Sequence, residues 1–265
     1  MNKLKYWIYK LSGGFSPLPF YLAVNIFNDC NRTCAFCPYH SPTLAKTPHT
    51  NWVNRQPKHL IYSRFATFLG SIGIIRHFIK HIAITGKGEP MMHPHFIKFC
   101  RLINSYHLPF SITTNGDFLH KFADKLSKLE YLTEVRVSIY DSEDIQKWIS
   151  AQTDAMYPLS IFNQTGKHVD GITDGYTVYC EGNTEHTMPK DFNTATSCQA
   201  PFTFLTMNTD GSIVPCYSYH ETGNAFKHTF WYLWNGKPMR EFRKKALTRT
   251  APRCDCLNCG INLAK

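Results

Sequence analysis

Apolar and polar positions alternate along FYLAVNIF, residues 20–27, between turn-forming flanks, and a period of two predicts a strand. A polar stretch follows, and residues 58–80 then carry apolar positions at helical spacing. HIAIT (81–85) reads as a short buried strand, and HPHFIKFCRLINSYH (93–107) as a helix with Pro94 near its first turn. PFSITTNG (109–116) predicts a strand ending in Asn-Gly, and FLHKFADKLSKLE (118–130) an amphipathic helix. EVRVSIYD (134–141) predicts a strand, SEDIQKWISAQTDAM (142–156) a helix capped by its serine, and LSIFNQTG (159–166) a fifth strand.

Strand and helix thus repeat with short connections. That order predicts an α/β fold: a partial (β/α) barrel of parallel strands, helices outside, crossovers right-handed. Chemistry in such sheets sits at the carboxyl ends of the strands. Those ends carry Cys30–Cys37, GKGEP (86–90), TTNG (113–116) and SIYD (138–141). The pattern changes near residue 166. Residues 167–197 are polar and irregular; PFTFLTMNTDGSIVPCYSY then predicts a hairpin turning at 208–211, followed by a helical segment over 230–247. The expected units are an N-terminal cap segment (1–20), the barrel (21–166), a linker (167–197) and a small hairpin-plus-helix domain (198–265).

With 43% hydrophobic residues in 265, the chain can bury a sizeable core. Its longest apolar run, FATFLGSIGII, is too short to span a bilayer and is interrupted by Gly and Ser. MNKLKYWIYKLSGG lacks the apolar centre of a signal peptide; a cap on the fold is the favoured reading over a membrane-surface helix. Ten cysteines in tight clusters suit metal binding in a reducing cytoplasm better than disulfides. Net charge is +10, with much of the excess in residues 227–253. That segment is either a solvated helix face or a contact for an anionic partner. No RNA-recognition motif accompanies it, so nucleic acid is not a clear partner.

The chemistry concentrates in FNDCNRTCAFCPYH (27–40), where three cysteines form a C-x3-C-x2-C run. A zinc half-site or unrelated buried thiols are the bland alternatives. Zinc knuckles pair C-x2-C units, whereas a cubane iron–sulfur cluster takes one protein ligand per iron. Three cysteines would leave a fourth iron open. Placed just after the first strand, this run resembles the radical S-adenosylmethionine (radical SAM) enzymes. The resemblance implies that Cys30, Cys34 and Cys37 ligate a [4Fe–4S] cluster whose fourth iron is chelated by SAM, with Phe36 beside the adenine.

ITGKGEPMMHP (84–94) resembles the glycine-rich turn that follows the second strand in that family, with Lys87 where relatives commonly have glycine. Gly86 and Gly88 would permit close backbone approach, and Glu89 would accept hydrogen bonds from the SAM ammonium. Thr114, Asn115 and Ser138 carry over as SAM-proximal, although turn residues closing a strand would look the same. Cys198, the G-x4-C hairpin ending at Cys216, and the late Cys256 and Cys259 resemble a SPASM or shorter twitch extension, and imply an auxiliary [4Fe–4S] cluster. Cys254 is the alternative to Cys256, and a structural zinc site is the alternative occupant. Cys100 reads as a packed helix thiol. Cys180 is a bystander, or else a hydrogen-atom donor as in radical epimerases.

In layout and cysteine spacing the chain resembles the twitch-bearing aminocyclitol dehydrogenases of the family. The resemblance implies an oxidoreductase that generates a 5′-deoxyadenosyl radical, abstracts hydrogen from a hydroxylated small molecule and passes an electron to the auxiliary cluster. It also implies an electron donor such as flavodoxin or ferredoxin. Two rivals stand beside it: a radical SAM enzyme that crosslinks or epimerises peptides, and a non-catalytic metal-binding module. Only about twenty residues precede the first strand, which disfavours the N-terminal peptide-binding domain of many peptide maturases.

Overall fold

The computed structural model describes residues 3–17, 21–35, 37, 39–43, 51, 54–139, 155–163, 173–174, 200–215 and 221–247. Among them a nine-stranded sheet organises the fold. Its strands are β1 (Tyr21–Val24), β2 (His81–Ile84), β3 (Phe110–Thr114), β4 (Leu132–Ile139), β5 (Leu159–Asn163), β6 (Thr173–Asp174), β7 (Phe204–Met207), β8 (Ser212–Val214) and β9 (Gly223–Asn224). Their order is β6-β5-β4-β3-β2-β1-β7-β8-β9. β1 to β7 pair in parallel, and β8 and β9 continue antiparallel. This is the mixed α/β architecture with parallel strands that the strand–helix repeat predicts.

The helices follow the apolar periodicity with shorter bounds. They are α1 (Lys3–Leu11), α2 (Tyr62–Ser71), α3 (Phe96–Ser105), α4 (Ala123–Leu126), α5 (Ala200–Thr203), α6 (Phe230–Asn235) and α7 (Lys237–Leu247). Two expected helices are cut back. The segment 58–80 holds α2 and then a 3-10 turn, Gly73–Phe78, because Gly73 adopts a positive φ of 55°. The segment 118–130 holds only a 3-10 turn, Leu119–Lys121, and the one-turn α4. Residues 230–247 break between α6 and α7 at Gly236, whose added Cβ would lie 2.4 Å from the Tyr232 carbonyl oxygen. The expected helix at 142–156 falls largely outside the described residues.

Alternate strand residues fill the core. Leu22 and Val24, Ile82 and Ile84, Phe110 and Ile112, and Val135 and Val137 share one face, packed with Phe65, Phe68, Phe96 and Phe99 of α2 and α3. Each such side chain, fully buried, contributes about 1.5–3 kcal/mol. Cys100 of α3 lies wholly within this layer, and burial pushes its thiol far up. The packing places β1, β2, β3 and β4 side by side with their carboxyl ends on one rim.

The hairpin does not stand apart from the barrel sheet. β7 pairs with β1 through Tyr21–Phe204 to Val24–Met207, and Gly211 (φ 81°) turns the chain into β8. α1 packs on α7, and Tyr9 stacks on Phe202 with ring centres 4.0 Å apart. No helix among the described residues is long and apolar enough to cross a membrane.

Candidate radical SAM active site

The cysteine loop leaves β1 at its carboxyl end. A turn closed by Cys37 N–H to the Cys34 carbonyl (2.9 Å) holds two of the three thiols on adjacent positions. Backbone N–H groups aim at the sulfurs: Arg32 N lies 3.4 Å from Cys30 Sγ and His40 N lies 3.3 Å from Cys37 Sγ. Asn115 Nδ2, from the end of β3, reaches Cys30 Sγ at 3.9 Å. Burial pushes the Cys30 thiol up to about 11 and raises Cys34 as well, so thiolates here call for a positive partner.

A cubane takes each thiolate on a different iron, and N–H donors to its sulfurs tune such centres. The donor set therefore fits an iron–sulfur cluster at Cys30, Cys34 and Cys37.

The glycine-rich turn after β2 lies directly on this loop. Glu89 N donates to the Asp29 carbonyl at 2.8 Å. A Cβ added at Gly88 would meet the Asp29 oxygen at 2.2 Å, and one at Gly86 would meet Asn25 Oδ1 at 2.3 Å. Glu89 itself is buried. Its Oε1 accepts from Met91 N (3.0 Å) and Thr114 Oγ1 (2.7 Å), and its Oε2 accepts from Asn115 N (2.8 Å). A carboxylate offers about four acceptor positions, so among the described residues these three leave one. Burial raises the Glu89 carboxyl against the downward pull of the three donors. Ser138 is buried at the far end of β4, on the same rim.

The structure thus brings together Cys30, Cys34, Cys37, Gly86, Gly88, Glu89, Thr114 and Asn115, with Ser138 beside them. Phe36, Cys180, Cys198, Cys216, Cys254, Cys256 and Cys259 lie outside the described residues.

Several anchors escape a reading by motif. Asp117 accepts from Asn31 Nδ2 (2.6 Å) and from Arg32 Nε (2.8 Å), and also pairs with Arg32 Nη2. Asn31 Oδ1 in turn accepts from Asn115 Nδ2 at 2.9 Å. One loop and one strand end are so locked together that the cysteines keep their spacing. The only local signal was an acid directly following TTNG. Of the histidines, His93 has both ring nitrogens engaged, one with the Leu60 carbonyl (3.1 Å) and one accepting from His95 N (2.9 Å), which marks it as structural.

Lys87 links this site to the C-terminal hairpin. Its Nζ donates to Asn208 Oδ1 at 2.7 Å, just beyond β7. Burial drives its ammonium down to about 7, with Asp210 opposing the shift. Between pH 7 and 10.5 the unfolded chain then holds a proton that the folded chain has released. Stability conferred by this residue is present above the unfolded value and lost as pH falls through 7. Wild type should gain up to about 1.4 kcal/mol per pH unit over Lys87→Met from pH 7 to 9. Anaerobic urea unfolding of both proteins measures it; parallel pH profiles would contradict the shift.

Two family models match the chain. The radical SAM superfamily model covers residues 24–186, and the SPASM model, an iron–sulfur cluster-binding domain, covers residues 198–260. The chain belongs to the radical SAM superfamily. Its two domains imply SAM with a [4Fe–4S] cluster for the first and an auxiliary [4Fe–4S] cluster for the second.

This radical SAM protein is 23% identical over 257 residues to the S-adenosyl-L-methionine-dependent 2-deoxy-scyllo-inosamine dehydrogenase of Niallia circulans, covering 90% of this chain and 92% of that protein. It spans only 16%, 30% and 37% of the length of three other curated relatives. One of them, the GTP 3′,8-cyclase of Aliarcobacter butzleri, is 31% identical over 131 residues, 49% of this chain. The crystal structure of BtrN in complex with AdoMet and 2-DOIA matches at a TM-score of 0.67 and 18% identity, over 94% of this chain and 95% of that one. That likeness establishes the fold.

Proposed function

We propose that this radical SAM protein is an oxidoreductase that dehydrogenates a secondary alcohol of a hydroxylated small molecule, of the aminocyclitol class, in the cytoplasm. The observation that carries the reading is the near end-to-end alignment with an aminocyclitol dehydrogenase, across both the radical SAM and the SPASM segments. When bound, the cluster and SAM supply a 5′-deoxyadenosyl radical, and the auxiliary cluster supplies an acceptor for the second electron.

The chain's own residues do the rest. Cys30, Cys34 and Cys37 hold the first cluster. Arg32 N and Asn115 Nδ2 donate toward the Cys30 sulfur and His40 N toward that of Cys37, which stabilises these thiolates. Asp117 fixes Asn31 and Arg32 between them. Gly86 and Gly88 let the GKGEP backbone close on the loop, and Glu89, held by Thr114 and Asn115, keeps one acceptor position for an ammonium. Phe36 is assigned to the adenine. Cys198, Cys216, Cys256 and Cys259 are assigned to the auxiliary cluster. A flavodoxin- or ferredoxin-type donor would supply the first electron.

The anaerobic, cluster-loaded protein, given dithionite and SAM, should remove two hydrogens from an aminocyclitol such as 2-deoxy-scyllo-inosamine. Mass spectrometry reads the product and the 5′-deoxyadenosine released. Failure on every polyol tried, together with crosslinking or epimerisation of a peptide, would replace this reading with the peptide-modifying one.

A further inference from the structure

The sheet has a second face, turned away from α2 and α3, and its chemistry is unlike the first. Strand register sets Thr206, Ala23, Ala83, Ser111 and Glu134 in one row across β7, β1, β2, β3 and β4. The next row toward the carboxyl ends carries Thr113, Arg136 and Ser160. The face is partly polar, yet Ser111 and Thr206 are buried, and among the described residues Thr206 Oγ1 has no hydrogen-bond partner. A buried hydroxyl left so costs about 1–3 kcal/mol, so a natural protein places one where something else answers it.

On β4 this face holds a preorganised group. Arg136 grips Glu134 as a fork, Nε to Oε1 at 3.3 Å and Nη2 to Oε2 at 2.9 Å. Ser160 Oγ donates to Oε1 from β5. Among the described residues these three bonds leave one acceptor position of the carboxylate open, on Oε2. The pair is not sealed, since the side chains of Glu134 and Arg136 remain 29% and 41% exposed. Next to it, His81 Nε2 and Ser111 Oγ lie 2.7 Å apart. Along β4 Arg136 sits two residues, about 7 Å, and Glu134 four residues, about 13 Å, below Ser138 on the cofactor rim, and the Ser160 bond draws the Glu134 carboxylate toward the Arg136 row, within reach of a ring seated under that rim.

We propose that Glu134, gripped by Arg136 and propped by Ser160, is a specificity-determining contact for the hydroxyl groups of an unphosphorylated cyclic polyol. A ring hydroxyl can donate to Oε2 while it accepts from a neighbouring serine. The carboxylate cancels the guanidinium charge, so a phosphate gains nothing at this point. The proposal rests on the alcohol-oxidising reading above and names the residue that would select its substrate.

Equilibrium titration of the anaerobic, cluster-loaded protein with SAM tests it, using 2-deoxy-scyllo-inosamine, scyllo-inositol and myo-inositol 1-phosphate as probes. The two unphosphorylated rings should bind wild type more tightly than the phosphate. Glu134→Gln should weaken both roughly tenfold, the loss of one charged hydrogen bond. Ser160→Ala should weaken them in the same direction, and serves as the readout if Glu134→Gln does not fold. Unchanged dissociation constants in a folded variant would overturn the proposal, as would tighter binding of the phosphate. If wild type oxidises an aminocyclitol but the variants match it, this inference alone falls. If wild type binds no polyol, the alcohol-oxidising reading falls with it.

Discussion

Gly88→Ala is expected to strip the protein of about four irons per chain and to cut SAM cleavage by about a hundredfold or more. The added Cβ would sit 2.2 Å from the Asp29 oxygen, 2.7 Å from the Asp29 nitrogen and 2.7 Å from the Phe27 oxygen. All three are backbone atoms, so no side chain can swing away to make room. The segment that moves must be the one carrying Cys30, and the Glu89 N–H bond to Asp29 goes with it. A three-thiolate site tolerates little displacement, because each sulfur must meet its own iron. The hydrophobic face of the sheet is untouched, so far-ultraviolet circular dichroism should stay native. Iron analysis and 5′-deoxyadenosine release measure the effect. Full iron content with normal SAM cleavage would show that the turn does not position the cysteine loop.

The second large effect is on stability. Arg243 in α7 is fully buried. It donates Nε to the Pro201 carbonyl (2.7 Å) and Nη1 to the Gly14 carbonyl (3.2 Å) and Asn235 Oδ1 (2.9 Å). Its guanidinium stacks on Trp234 at 4.0 Å, and burial lowers its pKa to about 9. Among the described residues Nη2 has no partner, which already costs something. Arg243→Met removes that cost but leaves two buried carbonyls without donors and keeps the chain length of the packing stem. The stranded acceptors outweigh the relieved donor, and on the order of 3 kcal/mol should be lost. In a chain of this size that is a fall in Tm of about 6–12 °C. Thermal unfolding followed anaerobically measures it. An unchanged Tm would mean that water or an apolar rearrangement satisfies Gly14 and Pro201. The first cluster should still load, since Cys30, Cys34 and Cys37 sit on the other segment of the chain.

These two residues divide what could be read from the chain and what could not. Alternation in FYLAVNIF, HIAIT and PFSITTNG was enough to place β1, β2 and β3, because a strand buried on one face repeats every two residues whatever surrounds it. The C-x3-C-x2-C and GKGEP runs were legible for a similar reason. Each is a local device, and their meeting follows once parallel strands align their carboxyl ends. Helix lengths were less legible: periodicity over 58–80 and 118–130 ran past the points where Gly73 and the loop before α4 end the helix.

Sequence by itself determined the parallel α/β scaffold, the family and the spacing of the three thiols proposed to hold the first cluster. Tertiary structure alone decided that β7 joins β1 and so fuses the hairpin to the barrel sheet. It also decided that Asp117 holds Arg32 across 85 residues, and that Arg243 reaches Gly14 across 229. It set Glu134, Arg136 and Ser160 on one face with Ser111. The reason is physical: periodicity and spacing encode contacts within a few residues. Partners far apart in the chain leave no such trace, and are selected only when burial demands that every polar group be answered.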